Sequence, residues 1–236
     1  MGSPAWDNMW HESQRPTAAA ATLEDQINRA KIDFIRPFLP AGGRAVEIGC
    51  GSGRLLAGIG QAAPLGLVAV DSSPAALALA RETLAAAGSH AAFVSADARD
   101  LPFADRSFDV VLSGGLLEHF PDPGDVLAQM VRILRPGALL YLDIVPRKFS
   151  LFRLREAGRM LRGRELMPGV SESAYGPAHY SERLRRLGCT VLRCEWCGVY
   201  PPWRAHRAFK RTRWLDNTAV ARWLGWYFMV LARRSL

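Results

Sequence analysis

The sequence predicts an α/β protein, in which a mostly parallel sheet is covered by helices on both faces. From residue 44 to about 145, short apolar stretches rich in Val, Ile and Leu alternate with segments of helical periodicity, which is the pattern of a parallel sheet. The first of these strands ends in a turn with three glycines, and polar residues follow the next three strands where each one ends. Because ligands of open α/β sheets bind beyond the carboxyl ends of the strands, the pattern predicts a binding site at that edge.

The elements follow one another in a regular order. Residues 23–38 predict a helix, because apolar residues recur every three or four positions, and Thr22 with Asp25 three residues later is a typical start. The other predicted helices are 53–62, 74–86 and 123–134, and the predicted strands are 44–48, 67–70, 91–95, 107–113, 138–145, 190–199 and 226–232. The last two strands are expected to form an antiparallel hairpin.

Composition places the chain among globular proteins. It has 236 residues, of which 49% are hydrophobic, enough for one large domain with an appended cap. No apolar run reaches the roughly 18 residues of a transmembrane helix, and no signal-peptide pattern is evident. Four cysteines make no disulfide framework in a chain of this length, so we expect a reducing, cytoplasmic setting. Cys194 and Cys197 lie three apart in a predicted strand and would point to opposite faces, so no metal site is expected.

Positive charge is concentrated in two segments. The formal net charge is +8, but residues 147–164 hold seven Arg or Lys and one Glu, and residues 203–214 hold five and no acid, which leaves the remaining chain at −3. Apolar and aromatic residues are interleaved with these cations, a pattern typical of a membrane-surface or anionic-ligand element. The ordinary solvated faces of a substrate cap are the favoured interpretation, ahead of an anionic or lipid-linked partner, and a nucleic-acid surface is the least favoured.

The glycine-rich turn, Glu47-Ile48-Gly49-Cys50-Gly51-Ser52-Gly53, narrows the ligand class. In a nicotinamide or flavin fingerprint the third glycine lies three positions after the second, where this chain has Arg54. Glu47, directly before the turn, would repel phosphates and attract a protonated amine. The turn therefore argues against a pyrophosphate ligand.

The same seven residues match the (D/E)-x-G-x-G-x-G motif of the class I S-adenosylmethionine (SAM)-dependent methyltransferases. Phe108-Asp109-Val110-Val111 and the predicted turn Arg135-Pro136-Gly137 also resemble that family, in its small-molecule branch of the methyltransferase type 11 kind. The resemblance implies SAM as cofactor and a doubly wound, seven-stranded sheet of order 3-2-1-4-5-7-6 with strand 7 antiparallel. The Asn/Asp-Pro-Pro-Tyr signature of amino-methylating nucleic-acid enzymes is replaced by Ser113-Gly114-Gly115-Leu116, which argues against methylation of adenine or cytosine bases.

The expected cofactor residues lie at the ends of the first four strands. Asp71 is 22 residues past Gly49, the distance at which an acid meets ribose hydroxyls. The resemblance implies that Asp97 takes the adenine amino group, with the Ala98 N–H beside it. The expected set is Glu47, Gly49, Cys50, Gly51, Gly53, Asp71, Ser72, Asp97, Ala98 and Ser113.

His119 is the candidate general base, because it follows the fourth strand and titrates near neutrality, and Glu118 could orient it. The stretch 117–123 resembles that of ubiquinone-pathway O-methyltransferases, some of which bind a metal through a further acid that is Gly115 here, so no metal is expected. A histidine that only packs against or caps the next helix is the alternative.

The sequence therefore predicts a SAM-dependent O-methyltransferase of a small-molecule or lipid-linked acceptor, with peripheral membrane contact as an option. The alternatives are a catalytically silent SAM-binding scaffold and, less favoured, an RNA methyltransferase or an NAD-dependent oxidoreductase. The predicted organisation is a helical lid (1–40), a cofactor-binding core (41–146), a basic helical cap (147–180) and C-terminal strands that complete the sheet (181–236).

Overall fold

Seven strands in the computed structural model form one sheet with the order β3-β2-β1-β4-β5-β7-β6. The structure describes Asp7, Trp10, residues 22–154, residues 172–200, Ala208 and residues 211–236. The strands are β1 (Arg44–Ile48), β2 (Gly66–Asp71), β3 (Ala91–Ser95), β4 (Phe108–Gly114), β5 (Leu134–Ile144), β6 (Cys189–Cys197) and β7 (Tyr227–Arg234). The helices are α1 (Leu23–Ile35), α2 (Arg54–Ala62), α3 (Pro74–Ala86), α4 (Gly124–Ile133), α5 (Pro177–Arg186) and α6 (Ala219–Leu224). Three short 3₁₀ helices are Arg36–Phe38, Leu117–His119 and Arg213–Leu215.

The predicted topology is confirmed. Strand β1 pairs in parallel with β2 and β4, and the parallel ladder continues to β3 on one side and β5 on the other. Strand β7 runs antiparallel between β5 and β6. The order reverses between β1 and β4, which is the switch point where such sheets bind ligands.

Each face of the sheet carries its own apolar core, because side chains alternate along a strand. Ala45, Val110 and Tyr141 pack with α1, α2 and α3 on one face. Val46 and Val111 pack with α4 and α5 on the other. Strands buried on both faces read as continuous apolar runs, which is why the pattern predicted them well.

The first helix starts as predicted and ends earlier. The Asp25 backbone N–H donates to Thr22 Oγ1 at 3.2 Å, and Asp25 Oδ2 accepts from the Thr22 backbone N–H at 2.8 Å, a complete capping box. The α-helix ends at Ile35, and residues 36–38 form a 3₁₀ turn. Pro37 lacks the N–H that would continue the α-helical ladder.

The prediction of a turn at Arg135-Pro136-Gly137 is wrong, because these residues lie within a strand. Strand β5 begins at Leu134, directly after α4, and the register jumps from Phe108–Leu134 to Val110–Leu139. The extra residues form a bulge that contains the proline, which a regular ladder would not accept. Arg135 Nη1 donates to both Asp109 oxygens at 2.7–2.8 Å and so joins the bulge to β4.

Helix α5 is an element that the sequence did not predict. It begins with Pro177 in its first turn and buries Tyr180 and Leu184 against the sheet. The helix crosses the predicted boundary between residues 180 and 181, so the last part of the expected cap belongs to the helical layer of the core. Most of the basic cap, residues 155–171, lies outside the described residues.

A buried ion pair joins α1 to the sheet. Lys31 Nζ lies 2.8 Å from Asp143 Oδ1 at the carboxyl end of β5, and the exposed side-chain fractions are 15% and 2%. A buried pair adds little relative to an apolar pair, but removal of one partner leaves a costly unpaired charge.

We therefore expect Lys31→Met to destabilise the protein by about 3 kcal/mol, because Asp143 would keep a buried charge without a counterion. Urea unfolding measures the effect, and the double variant Lys31→Met/Asp143→Asn should recover part of the loss. The control is Arg29→Met on the exposed side of α1. If Lys31→Met and Arg29→Met lowered the free energy of unfolding equally, the buried role of the Lys31–Asp143 pair would be contradicted.

Candidate functional site

Three glycines hold the turn after β1 in a conformation that other residues rarely adopt. Gly49, Gly51 and Gly53 have φ of 69°, 49° and 71°. A Cβ at Gly49 would lie 2.9 Å from Leu116, and one at Gly53 would lie 2.9 Å from the Cβ of Ala80. The Cys50 N–H donates to Val70 O at 2.9 Å, which ties the turn to β2. The turn therefore keeps its backbone close to whatever binds over it.

Glu47 has a structural role that the sequence analysis missed. Gly53 is the N-cap of α2 and has no side chain to cap it. Glu47 Oε2 accepts from the Leu56 backbone N–H in the first turn of α2 at 3.1 Å. The carboxyl is only 4% exposed, and burial raises its pKa to about 8 although the Leu56 N–H and Lys31 oppose the shift. Its predicted contact with a protonated amine of the cofactor stays a prediction.

Asp71 joins the second strand to the glycine turn. Its Oδ2 accepts from the Gly51 N–H and its Oδ1 from the Ser73 N–H, both at 2.9 Å. Burial raises its pKa, and these N–H groups counteract the shift. Ser72 lies beside it and is partly exposed. The structure thus brings Gly51, Asp71 and Ser72 together at one edge, as expected.

Two N-terminal residues lie against this edge, and the sequence analysis gave them no role. A Cβ at Gly51 would lie 2.6 Å from the Trp10 ring. Asp7 Oδ1 accepts from Ser73 Oγ at 2.5 Å and from the Ala75 N–H at 3.2 Å, at the start of α3. The lid expected in residues 1–40 stays a prediction, because residues 1–6, 8–9 and 11–21 lie outside the described residues.

Asp97 follows β3, as predicted, but its carboxylate is already bound. Arg99 Nη2 and Nε donate to its two oxygens at 2.6 and 3.0 Å, and the Arg99 backbone N–H donates at 2.8 Å. The Arg99 side-chain hydrogen bonds lower the pKa of Asp97 to about 2. Ala98 is partly exposed beside it. An adenine amino group would have to share this carboxylate with Arg99, so that contact stays a prediction.

Ser113, Glu118 and His119 gather at the carboxyl end of β4. Ser113 is buried, and Glu118 and His119 form part of the 3₁₀ turn that follows. Glu118 Oε1 accepts from the Val145 N–H at 3.0 Å, and burial raises the pKa of Glu118 to about 8. Glu118 therefore joins the ends of β4 and β5, whereas its role in orienting the partly exposed His119 stays a prediction.

Two buried polar atoms at this edge have no hydrogen-bond partner in the described part of the chain. They are Ser113 Oγ and Glu118 Oε2. An unpaired buried polar group costs about 1–3 kcal/mol, so such groups mark a place for a polar ligand or water. Together with the backbone of the glycine turn and the Asp71 carboxylate, they fit a polar ligand at this edge.

The Cys-x-x-Cys pair has the geometry expected for a strand. Cys197 packs in the core on the α1 face, and Cys194 packs against the core on the α5 face. Within the residues described, no group of three or more His, Cys, Asp or Glu side chains could hold a metal ion.

Comparison with known proteins identifies the family. Residues 46–142 match the family model of a methyltransferase domain. The chain is 27% identical to the ubiquinone biosynthesis O-methyltransferase of Xanthomonas axonopodis over 84% of this chain and 82% of the relative. Residues 46–142 therefore form a methyltransferase domain of the class I SAM-dependent kind. The 27-O-demethylrifamycin SV methyltransferase of Amycolatopsis mediterranei is 33% identical over 65% of this chain and 61% of that relative.

Solved structures agree in fold. The magnesium protoporphyrin IX methyltransferase of Synechocystis, which holds S-adenosylhomocysteine, superposes with a TM-score of 0.64 at 15% identity, over 98% of this chain and 93% of that one. A SAM-dependent methyltransferase of Thermotoga maritima superposes with a TM-score of 0.60 at 19% identity, over 88% and 89% of the two chains. The family model and the named relatives support a SAM-dependent methyltransferase, and these structures agree with them in fold.

The buried Glu47 predicts a pH dependence of stability. A carboxyl whose pKa rises from 4.5 to about 8 on folding stabilises the protein at low pH and loses that contribution as pH rises to 8. The free energy of unfolding of the wild type should therefore fall relative to Glu47→Gln by up to about 1.4 kcal/mol per pH unit between these values. Urea unfolding at pH 5, 6 and 7 checks this, with the exposed Glu82→Gln as control. Parallel pH profiles for wild type and Glu47→Gln would disprove the assignment.

The affinity for the cofactor should depend on Asp71. Replacement by Ala removes the expected ribose hydrogen bonds and the support of the Gly51 N–H, so S-adenosylhomocysteine should bind one to two decades more weakly, about 1.5–3 kcal/mol. Titration calorimetry measures this, and Asp100→Ala, an exposed aspartate in the turn after β3, is the control. Equal affinities for the two variants would remove Asp71 from the cofactor site.

Proposed function

We propose that this enzyme transfers the methyl group of SAM to an oxygen atom of a small-molecule acceptor. One observation carries the proposal: the glycine turn, Asp71 and the Ser113–His119 segment lie at the ends of adjacent strands around the switch point of the sheet. O-methyltransferases among the relatives support transfer to oxygen.

SAM supplies an activated methyl group, so the protein must mainly bind, align and exclude water. Asp71, Asp97 and Ala98 would bind the nucleoside, and Glu47 with Gly49, Cys50, Gly51, Gly53 and Ser113 would surround the amino acid part. Partly exposed His119 stands at the end of β4 and would take the proton from the acceptor hydroxyl as the methyl group is transferred. Glu118, largely protonated near pH 7, would keep the 3₁₀ turn in place.

A SAM-binding scaffold without turnover is the alternative from another class. A scaffold needs the cofactor contacts alone, whereas this chain also places the partly exposed His119 in the turn after β4. A titratable side chain at that edge favours an acceptor site.

An anionic or lipid-linked metabolite is the acceptor class that we favour. The support is the net positive charge of the segments around 147–164 and 203–214. Residues 155–171, 201–207 and 209–210 of this region lie outside the described residues, Arg204 and Arg207 among them. No helix in the described ranges has both the length and the apolar character needed to cross a bilayer.

Transfer of a labelled methyl group from SAM, screened against phenols, hydroxylated sugars and polyprenyl lipids, tests the proposal. With an acceptor in hand, His119→Asn should lower kcat by about 10²–10⁴-fold, because the acceptor loses its base, with little change in affinity for S-adenosylhomocysteine.

The matched control is His179→Asn, a partly exposed histidine on α5 that stacks on Tyr175 and accepts a hydrogen bond from Arg183 Nε. Unchanged kcat in His119→Asn would leave His119 as a packing residue. No transfer to any acceptor, with cofactor binding intact, would support the scaffold.

A further inference from the structure

Large apolar side chains are exposed in two segments far apart in sequence. Phe149, Trp214 and Trp223 are 62%, 76% and 77% exposed. Leu154 and Val220 in the same segments are also exposed, whereas the other large apolar side chains exposed in the described residues are Leu192 and Leu236. Exposure of two tryptophans costs hydrophobic stabilisation, so a concentration of such residues marks a contact surface.

Hydrogen bonds hold the two segments together. The Leu151 N–H donates to Leu224 O at 3.0 Å. Lys148 Nζ donates to Arg222 O at 2.7 Å and to Gly225 O at 3.3 Å, and it lies 4.0 Å from the centre of the Trp196 ring. The segment after β5 therefore packs against the end of α6. We call residues 147–154 and 211–224 together the aromatic–basic surface.

Trp214 and Trp223 belong to consecutive short helices of this surface. Trp214 is in the 3₁₀ helix Arg213–Leu215, and the Thr218 N–H donates to Leu215 O at 3.2 Å. Thr218 then caps α6 through its side chain. This turn fixes the two short helices relative to each other, so the two indole rings are presented by one folded unit.

The charge of the aromatic–basic surface is strongly positive. Residues 147–154 contain three Arg or Lys and no acid, and residues 211–224 contain three Arg and one Asp, a net charge of +5. Lys148 binds carbonyl groups, and Arg153 pairs with Glu172. The side chains of Arg147, Arg211 and Arg222 are exposed, and they are the cations placed to meet an anionic partner.

We propose that the aromatic–basic surface docks the enzyme on an anionic bilayer, with Phe149, Trp214 and Trp223 at the level of the headgroups. The proposal adds a membrane-binding surface to the proposed function. It rests on the proposed lipid-linked acceptor only for the reason why the enzyme would bind a bilayer. Tryptophan prefers the membrane interface, where an apolar ring and a polar N–H are both satisfied, and arginine binds lipid phosphates. The surface needs no spanning helix, since an amphipathic element with cations can bind from one side.

The test is co-sedimentation of the full-length protein with vesicles of phosphatidylglycerol and phosphatidylcholine, compared with vesicles of phosphatidylcholine alone. The wild type should bind the anionic vesicles, and binding should fall steeply between low and physiological salt. Trp214→Ala/Trp223→Ala should weaken binding about tenfold or more, because two large apolar contacts are lost.

Charge removal is tested by a matched pair of double variants. Arg211→Ala/Arg222→Ala should also weaken binding, by about 25-fold, since each cation near an anionic membrane contributes about a factor of five. Arg185→Ala/Arg186→Ala removes the same charge from the exposed side of α5 and should leave most of the binding intact. Equal losses in the two double variants would show attraction by net charge and overturn docking through this surface.

Three other outcomes decide the proposal. No binding to anionic vesicles at low salt, or full binding by the tryptophan variant, would overturn it. Loss of single-stranded RNA binding in the tryptophan variant, with vesicle binding unchanged, would make the surface a nucleic-acid site instead. Calorimetry with S-adenosylhomocysteine on the same preparations separates the proposals, because cofactor binding without vesicle binding rejects the docking surface alone.

Discussion

The conformation of the turn after β1 is the constraint on which the rest of the site depends. Gly49, Gly51 and Gly53 all have positive φ, and side chains from other elements fill the space that a Cβ would need. Asp71 at the end of β2 binds the turn through the Gly51 N–H, and Glu47 at the end of β1 caps the helix that leaves it. Both carboxyls thus stabilise the turn before any cofactor arrives, which preorganises the site.

Several acidic side chains are buried at the same edge of the sheet. Glu47, Glu118 and Asp143 are all nearly buried, and Lys31 pairs with Asp143. Burial and mutual repulsion raise the pKa values of Glu47 and Glu118, so both carboxyls are largely protonated near pH 7. A cation bound nearby would favour their ionised forms. The sulfonium and ammonium groups of SAM are such cations, so the electrostatics of the edge match the charge of the cofactor.

How much the sequence predicts depends on whether a feature is local. The central strands, the glycine turn and the polar residues at strand ends could be predicted because short sequence patterns determine them. The bulge in β5 was missed because Arg135-Pro136-Gly137 has the composition of a turn, and only pairing with β4 makes it part of a strand. Helix α5 was missed because its exposed face is rich in arginine and only two of its side chains are buried.

The site residues also divide into local features, which the sequence predicts, and non-local contacts, which it does not. The positions of Glu47, Asp71 and Asp97 were predicted, but their partners Leu56, Ser73 and Arg99 were not. The Asp97–Arg99 pair is local, so its two-residue spacing was a usable signal. The contacts of Asp7 and Trp10 with α3 and the glycine turn join residues more than 40 apart in sequence. No local pattern predicts such contacts, because they depend on how the N-terminal segment packs.

The charges of the chain are separated in space as well as in sequence. Buried acids lie at the ends of β1, β4 and β5, whereas the aromatic–basic surface starts at Arg147, three residues past the end of β5. Lys148 connects the two regions, because it follows β5 and donates to the carbonyl groups at the end of α6. A bilayer bound to the aromatic–basic surface would therefore lie near the sheet edge that carries the glycine turn. Under the two proposals, this proximity would give a lipid-linked acceptor a short path to His119.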